Sequence, residues 1–167
     1  MRYFKSVIFA LSVVILIPFI CPPGSLCFSA QEELKNAPDF NLMDLYQDMI
    51  ALSKYKDKQP VLLFFWTTWC PFCQNELRVL NDMYAGMTKD GVELLAINSG
   101  ELFDTVNDFT KSYYLSYRVL LDQDQAVSRT FGVVGVPTYI LVNKQGQIVF
   151  QGNYFPQRDY KALVDKG

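Results

Sequence analysis

The sequence predicts a mixed α/β fold, in which a central β-sheet of parallel and antiparallel strands is flanked by helices. Short apolar runs typical of strands alternate with stretches whose apolar residues recur at helical spacing. Strands and helices alternate through most of the chain, whereas two strand patterns follow one another near the C-terminus. The 167 residues are half apolar, which suits one domain with a substantial core.

The first thirty residues resemble an export signal more than part of that domain. Arg2 and Lys5 precede an apolar run over residues 7–20, and small residues near position 30 offer a cleavage site. A retained membrane anchor is the alternative, although the run is shorter than the ~20 apolar residues that span a bilayer. We therefore expect residues 1–30 to be a signal peptide or an N-terminal membrane anchor, and residues 31–167 to form the domain.

The domain is predicted to begin with a β-hairpin and a buried strand. Alternating apolar residues around 40–43 and 49–52 predict the two strands of the N-terminal hairpin. The continuous apolar run VLLFFW after Pro60 predicts a central strand that is buried on both faces. Apolar residues at helical spacing then predict a helix that places Cys73 and Leu77 on its buried side.

The second half continues with further strand and helix patterns, without an internal repeat of the sequence. GVELLAINSG predicts the next strand, and apolar residues over 103–113 predict a second amphipathic helix. A short strand in YRVLLD and a short helix over 126–131 follow. PTYILVNKQGQIVFQG predicts a hairpin with a glycine in its turn, and a helix over 157–165 completes the domain.

The composition excludes several functional classes. The chain has no histidine, which removes haem attachment through Cys-x-x-Cys-His and most metal and His-based nucleophile sites. Without the leader, 13 basic residues face 17 acidic ones, so the domain has no basic surface for nucleic acid. We expect neither a cofactor nor a metal.

The cysteines carry the strongest functional signal. Cys70 and Cys73, in WTTWCPFCQNE, are the only cysteines of the predicted domain. Zinc would need two further ligands that the sequence does not supply, and a bridge closing so short a loop adds little stability. Thiol–disulfide exchange therefore explains the pair better than a copper thiolate site or two cysteines that only pack in the core.

The predicted helix start suggests how the two thiols divide the reaction. If the strand ends near Trp69 and the helix begins at Pro71, Cys70 lies at the helix N-terminus. Free N–H groups and the helix dipole favour a thiolate there. Cys73, one turn later, faces the core and stays protonated until a mixed disulfide forms. Cys70 is therefore predicted to attack and Cys73 to resolve.

Two segments resemble thioredoxin-like proteins. FFWTTWCPFC resembles their active-site segment, in which a central strand leads into W-C-x-x-C at a helix start. In GVPTYILVN, Pro137 matches the cis-proline that these folds place opposite the dithiol. The resemblance implies a thioredoxin-like fold and a redox disulfide between Cys70 and Cys73. It also implies a substrate-binding groove formed by Trp69, Pro71, Phe72, Val136 and Pro137.

Within that superfamily the chain resembles the exported TlpA/ResA-type thioredoxins. APDFNLMDL resembles their opening hairpin, and the chain between Cys73 and the downstream VPT has room for their central βα insertion. AINSGE ends in Glu101, which matches a glutamate that the family places near its dithiol. The resemblance covers about residues 37–165. It implies a protein in the periplasm or on the outer face of the cytoplasmic membrane, with a membrane thiol electron donor and disulfide-containing substrates such as apocytochrome c.

One position departs from the family pattern. Thioredoxins carry a buried Asp six residues before the first cysteine, and TlpA-like members often carry Asn, but this chain has Phe64. No base can come from that position, so we expect Glu101 to assist proton removal from Cys73. The alternative is that Glu101 is a solvated loop carboxylate. Glu76, after Cys73 on the same helix, is expected to face solvent.

The predicted function is that of an exported reductant of protein disulfides, and three alternatives stay open. The same dithiol could run in the opposite direction and insert disulfides. A peroxiredoxin-type peroxidase would use Thr67, three residues before Cys70, although Leu63 stands where that chemistry expects proline. A module that binds peptides beside Pro137 without catalysis is the third.

Overall fold

The computed structural model describes residues 34–165, and the predicted leader over 1–30 lies outside them. Along the chain a 3-10 helix at Leu52–Tyr55 follows the first two strands. The strands and α-helices are β1 (Asn41–Asp44), β2 (Met49–Ala51), β3 (Val61–Trp66), α1 (Pro71–Lys89), β4 (Glu93–Ser99), α2 (Phe103–Tyr113), β5 (Arg118–Asp122), α3 (Ala126–Thr130), β6 (Thr138–Val142), β7 (Ile148–Gly152) and α4 (Gln157–Val164).

All seven strands form one mixed sheet in the order β2-β1-β5-β4-β3-β6-β7. The strands β3, β4 and β5 are parallel, whereas β6 is antiparallel to β3 and β1 is antiparallel to β5. The hairpin partners β2 and β7 form the two edges. The prediction of a mixed sheet with an N-terminal hairpin and a central βα insertion is confirmed, because α2 and β5 lie between β4 and the short helix α3.

The helices cover both faces of the sheet. One core cluster joins β3, β4 and β6 to α1, α2 and α4, and it includes both cysteines. The other cluster packs the opposite face against the 3-10 helix and against Phe131, which directly follows α3. Because β3 is central and covered on both faces, none of its six side chains is more than 2% exposed. A continuous apolar strand is the pattern expected there.

The strand that leads to the cysteines is shorter than predicted. β3 pairs with β4 as far as Trp66, so it ends at that residue and not near Trp69. The residues 67–70 form a turn before α1, which begins with Pro71 in its first position. Proline suits that position because its missing N–H would have no partner inside the helix. The chain therefore passes from β3 to α1 through a turn that lies outside both elements. Backbone N–H and C=O groups of this turn need hydrogen-bond partners other than those of the sheet and the helix.

The end of the sheet opposite this turn is fastened by an ion pair. The buried carboxylate of Asp44 accepts hydrogen bonds from the N–H groups of Tyr46 and Asp48, and it pairs with Arg118 at the start of β5. These contacts fix the β1–β2 hairpin against β5. No helix within residues 34–165 is both long and apolar enough to cross a membrane.

Candidate active site

Cys70 and Cys73 form a disulfide at the start of α1, with their Cα atoms 5.2 Å apart. Cys70 is the N-cap residue, and its sulfur accepts from the N–H of Cys73 at 3.2 Å. Cys70 retains 4% of its surface exposed, while Cys73 is fully buried. The predictions that the pair is bridged, that Cys70 lies at the helix N-terminus and that Cys73 faces the core are confirmed.

The loop before β6 lies against the disulfide. The Val136–Pro137 peptide bond is cis, as predicted, and the carbonyl oxygen of Val136 lies 3.8 Å from Cys70 Sγ. The hydroxyl of Thr138 donates to the carbonyl of Gly135 at 2.6 Å, and the amide of Asn153 donates to the carbonyl of Pro137 at 2.7 Å. Side chains on both sides therefore fix this loop, and the Val136 carbonyl faces the Cys70 sulfur.

Exposed apolar side chains surround the dithiol. Trp69 and Phe72 are 70% and 74% exposed, although both are large apolar residues next to the cysteines. Pro71 is exposed as well, whereas Val136 and Pro137 are half-buried. The predicted groove residues therefore lie together around Cys70. Leu102, directly after Glu101, and Val134, two residues before Val136, are exposed in the same way and had no sequence signal.

The Glu101 carboxylate contacts the turn that presents Cys70. Its Oε2 accepts from the Thr68 N–H and from Asn98 Nδ2, both at 2.7 Å, and its Oε1 accepts from the Thr68 hydroxyl. Gly100 supports this placement with a φ of +84°, a region that glycine adopts without strain, and a Cβ there would collide with the Gln125 side chain. Glu101 is therefore an ordered group at the dithiol end of the sheet and not a freely solvated one.

The prediction that Glu76 faces solvent is wrong. Glu76 is half-buried, and its carboxylate accepts a hydrogen bond from the hydroxyl of Tyr139. Tyr139 is fully buried on β6, opposite Phe64 in the strand register, and the two rings lie 4.8 Å apart. Burial, followed by the bond to Glu76, raises the pKa of Tyr139, so its hydroxyl stays protonated and needs an acceptor. Helical spacing alone cannot reveal a partner that reaches in from another strand.

Gln74 and Tyr113 also belong to the site, although no sequence pattern pointed to either of them. Gln74 donates from Nε2 to the carbonyl of Thr68 at 2.8 Å, and its Oε1 accepts from the hydroxyl of Tyr113 at 3.1 Å. Together with Glu101, Gln74 satisfies every polar group of Thr68. Within residues 34–165 no group of three or more His, Cys, Asp or Glu side chains is placed to hold a metal ion.

The sequence of the chain is similar to those of known proteins. The sequence model of the AhpC/TSA family matches residues 34–151. A protein of Bacillus subtilis (strain 168), named thiol-disulfide oxidoreductase ResA, is 36% identical over 142 residues, which cover 81% of this chain and 79% of the relative. The protein of the same name from Bacillus cereus (strain ATCC 10987 / NRS 248) is 35% identical over 125 residues, covering 73% of this chain and 72% of the relative.

Solved structures with the same fold agree. The crystal structure of StoA from Bacillus subtilis superposes with a TM-score of 0.64 at 25% identity, covering 75% of this chain and 96% of StoA. A secreted Mycobacterium tuberculosis disulfide oxidoreductase, described as homologous to Escherichia coli DsbE, has a TM-score of 0.64 at 22% identity, covering 77% of this chain and 96% of that one. The thioredoxin-like fold predicted from the sequence is confirmed.

Proposed function

The chain belongs to the AhpC/TSA family and is a thiol-disulfide oxidoreductase of the TlpA/ResA type, and from this premise we propose that it reduces protein disulfides outside the cytoplasm. The observation that carries the proposal is the placement of Cys70. It is the N-cap of α1, it is the more exposed of the two cysteines, and the Val136 carbonyl lies beside its sulfur. A thiol in that position is suited to attack a disulfide that enters beside Val136.

The proposed reaction has two exchange steps. In the first, the Cys70 thiolate attacks one sulfur of a substrate disulfide, the substrate S–S bond breaks, and a mixed disulfide forms as the other substrate sulfur leaves as a thiolate. In the second, Cys73 loses its proton and attacks Cys70 Sγ, which releases the second substrate thiolate and leaves Cys70 and Cys73 bridged. The substrate gains two electrons, and a thiol electron donor must then return two electrons to the bridge.

The second step needs a route for the Cys73 proton. Burial disfavours a thiolate at Cys73, and Phe64 supplies no base. We assign this task to Glu101. Its carboxylate is fixed against Thr68, two residues before Cys70, and Oε1 accepts only one hydrogen bond from the described residues. Oε1 therefore has a lone pair free for the proton, taken directly or through a water molecule.

The substrate groove is formed by the predicted residues Trp69, Pro71, Phe72, Val136 and Pro137. The exposed rings of Trp69 and Phe72 offer apolar contact area, while the Val136 backbone offers a polar edge for an extended segment. Such a groove suits a cysteine pair in an extended or unfolded protein segment. Pro137→Ala should keep the fold and lose selectivity among substrates, which competition between two disulfide proteins would measure.

The setting of the reaction is part of the proposal. The basic and apolar leader over residues 1–30 supports export to the periplasm or to the outer face of the cytoplasmic membrane, with the chain either released or held by that segment. A membrane thiol donor would then re-reduce the dithiol. Apocytochrome c, whose thiols must be reduced before haem attachment, is the substrate that we propose from the family resemblance.

The reduction potential tests the direction of the reaction. We expect equilibration with a glutathione or dithiothreitol buffer to give a reduction potential of about −250 mV or lower, as for reductants of this fold. A reduction potential of about −120 mV would make the protein an oxidant instead. Reduction of insulin by the wild type, with Cys70→Ser as the inactive control, separates either enzyme from a module that only binds peptides. A hydrogen peroxide assay on the same two proteins tests the peroxidase alternative.

A further inference from the structure

Side chains hold both backbone groups of Thr68 in the turn between β3 and α1, in which the Cys70 N–H donates to the Thr67 carbonyl at 3.5 Å. The N–H of Thr68 donates to Glu101, and its carbonyl accepts from Gln74 Nε2 at 2.8 Å. Among the residues that the structure describes, neither backbone group of Thr68 has a backbone partner. Because Thr68 lies two residues before Cys70, the bonds that fix Thr68 also fix the segment that carries the attacking sulfur.

The bond from Gln74 spans the disulfide. Thr68 precedes Cys70, and Gln74 directly follows Cys73, so the hydrogen bond closes a ring of chain over residues 68–74 whose backbone includes both cysteines. When the disulfide is reduced, the two sulfurs lose their covalent bond and separate to van der Waals contact. Any part of that separation that reaches the backbone falls on the ring, in which the hydrogen bond is the weakest link.

The second helix fixes the orientation of the Gln74 amide. The hydroxyl of Tyr113 donates to Gln74 Oε1 at 3.1 Å, so Nε2 is the end that points to Thr68. The Tyr113 ring stacks on Phe109 with 4.2 Å between centroids, and Arg78 Nη2 donates to the Tyr113 hydroxyl at 3.3 Å. The amide is therefore pre-oriented by α2 before any change at the sulfurs occurs.

We propose that Gln74 is a positioning residue that sets the reduction potential of the dithiol. Its bond to Thr68 holds together the two segments that bear the sulfurs, and it is stronger in the disulfide form, where those segments are close. The bond therefore favours the disulfide and makes the dithiol a better reductant, with Tyr113 orienting the amide. The proposal rests on the thiol–disulfide activity but not on the absolute direction of the reaction, because it concerns a change relative to the wild type.

The test compares the redox equilibrium of variants. Gln74→Met keeps the length of the side chain but removes both the donor and the acceptor. We expect its equilibrium with a glutathione buffer to move toward the dithiol by about 3- to 10-fold, the value of one hydrogen bond. A tenfold change corresponds to a potential about 30 mV higher. Tyr113→Phe keeps the ring stack and loses only the orienting hydroxyl, so a smaller shift in the same direction is expected.

A matched control separates this role from general stabilisation. Asn81, also on α1, accepts from the Ser116 N–H at 2.7 Å and so bridges the same helix to the loop after α2, away from the sulfurs. Asn81→Leu should lower the thermal midpoint of unfolding without moving the redox equilibrium. An unchanged equilibrium in both Gln74→Met and Tyr113→Phe, a shift toward the disulfide, or an equal shift in Asn81→Leu would overturn the proposal. If Gln74→Met does not fold, Tyr113→Phe alone decides.

Discussion

The two ends of the sheet hold their carboxylates in different ways. At the amino ends of the parallel strands, Asp44 is buried and paired with the cation of Arg118. At the dithiol end, Glu101 accepts from Thr68 and Asn98, and Glu76 accepts from Tyr139, so both carboxylates are held by neutral donors. Within residues 34–165 neither glutamate has a salt bridge.

This difference suggests that the carboxylate at the amino end serves the stability of the fold, and that those at the dithiol end serve the exchange reaction. A buried carboxylate that faces a guanidinium depends on that partner, because removing either one leaves the other charge uncompensated and destabilises the fold. A carboxylate held by neutral hydroxyl and amide donors is positioned equally well, but no cation opposes its taking up a proton during a reaction. We therefore expect changes at the dithiol end to alter exchange rates, and changes at the amino end to alter the free energy of unfolding.

The largest effect is expected from removing the resolving thiol. Cys73→Ala leaves Cys70 able to attack but removes the sulfur that releases the substrate, so turnover should stop and a mixed disulfide should accumulate. Mass spectrometry after incubation with a disulfide-containing protein measures it, with the Cys70→Ser, Cys73→Ala double variant as the blank. Continued turnover of the single variant would show that the dithiol end does not work by resolution.

The next largest effect is expected at Glu101. Glu101→Gln keeps the shape of the side chain but cannot take the Cys73 proton, so the second step should slow by about 10- to 100-fold while the first stays nearly intact. Stopped-flow measurement of the two steps tests this, and Asp104→Asn, an exposed acid on α2, is the matched control.

The companion variant Glu76→Gln decides between the two carboxylates of the dithiol end. Glu76 contacts Tyr139 and not the turn before Cys70, so its variant should affect the second step less than Glu101→Gln does. A normal second step in Glu101→Gln combined with a slow one in Glu76→Gln would contradict the assignment and move proton removal to Glu76.

At the amino end, Asp44→Asn should change stability and leave both exchange steps alone. The amide can still accept from Tyr46 and Asp48, but the ion pair is lost. Because Arg118 is 32% exposed, the loss should lie below that of a fully buried pair, at about 1–3 kcal/mol in the free energy of unfolding. Urea denaturation measures it. A slower exchange rate in the folded variant would show that the two ends are coupled.

The smallest effect is expected at Glu93, at the amino end of β4. Burial raises the pKa of this carboxyl, and Arg118 offsets only part of that cost. The folded state therefore holds the Glu93 proton more tightly than the unfolded chain, and stability is lost as the pH rises from the unfolded pKa through the folded one. Glu93→Gln should raise stability at neutral pH by less than about 1 kcal/mol and have no such effect at pH ~4. Thermal unfolding at both pH values measures it, and a stabilisation that is equal at both would contradict it.

The sequence was enough to predict the elements but not all of their contacts. The strands and α-helices had signals in alternation, helical spacing or continuous apolar runs, whereas the 3-10 helix at Leu52–Tyr55 was not predicted. The helix start at Pro71 and the loop at Pro137 had sequence motifs of their own. Glu76 was misassigned because its position on α1 says nothing about Tyr139, which lies 63 residues away. Gln74 escaped notice for the same reason, since its orientation depends on a hydroxyl of α2. Side-chain contacts between distant elements are set by packing, which periodicity does not encode.

Alkylation of the reduced protein is the most direct test of the assignment of Cys70 as the attacking thiol and Cys73 as the resolving thiol. Iodoacetamide near neutral pH, stopped at intervals and mapped by peptide mass spectrometry, reports the reactivity of each thiol. Cys70, the less buried of the two and the N-cap of α1, should react rapidly, while Cys73, fully buried, should stay unmodified on the same timescale. Equal rates for the two cysteines, or faster reaction of Cys73, would contradict the assignment of attacking and resolving thiols.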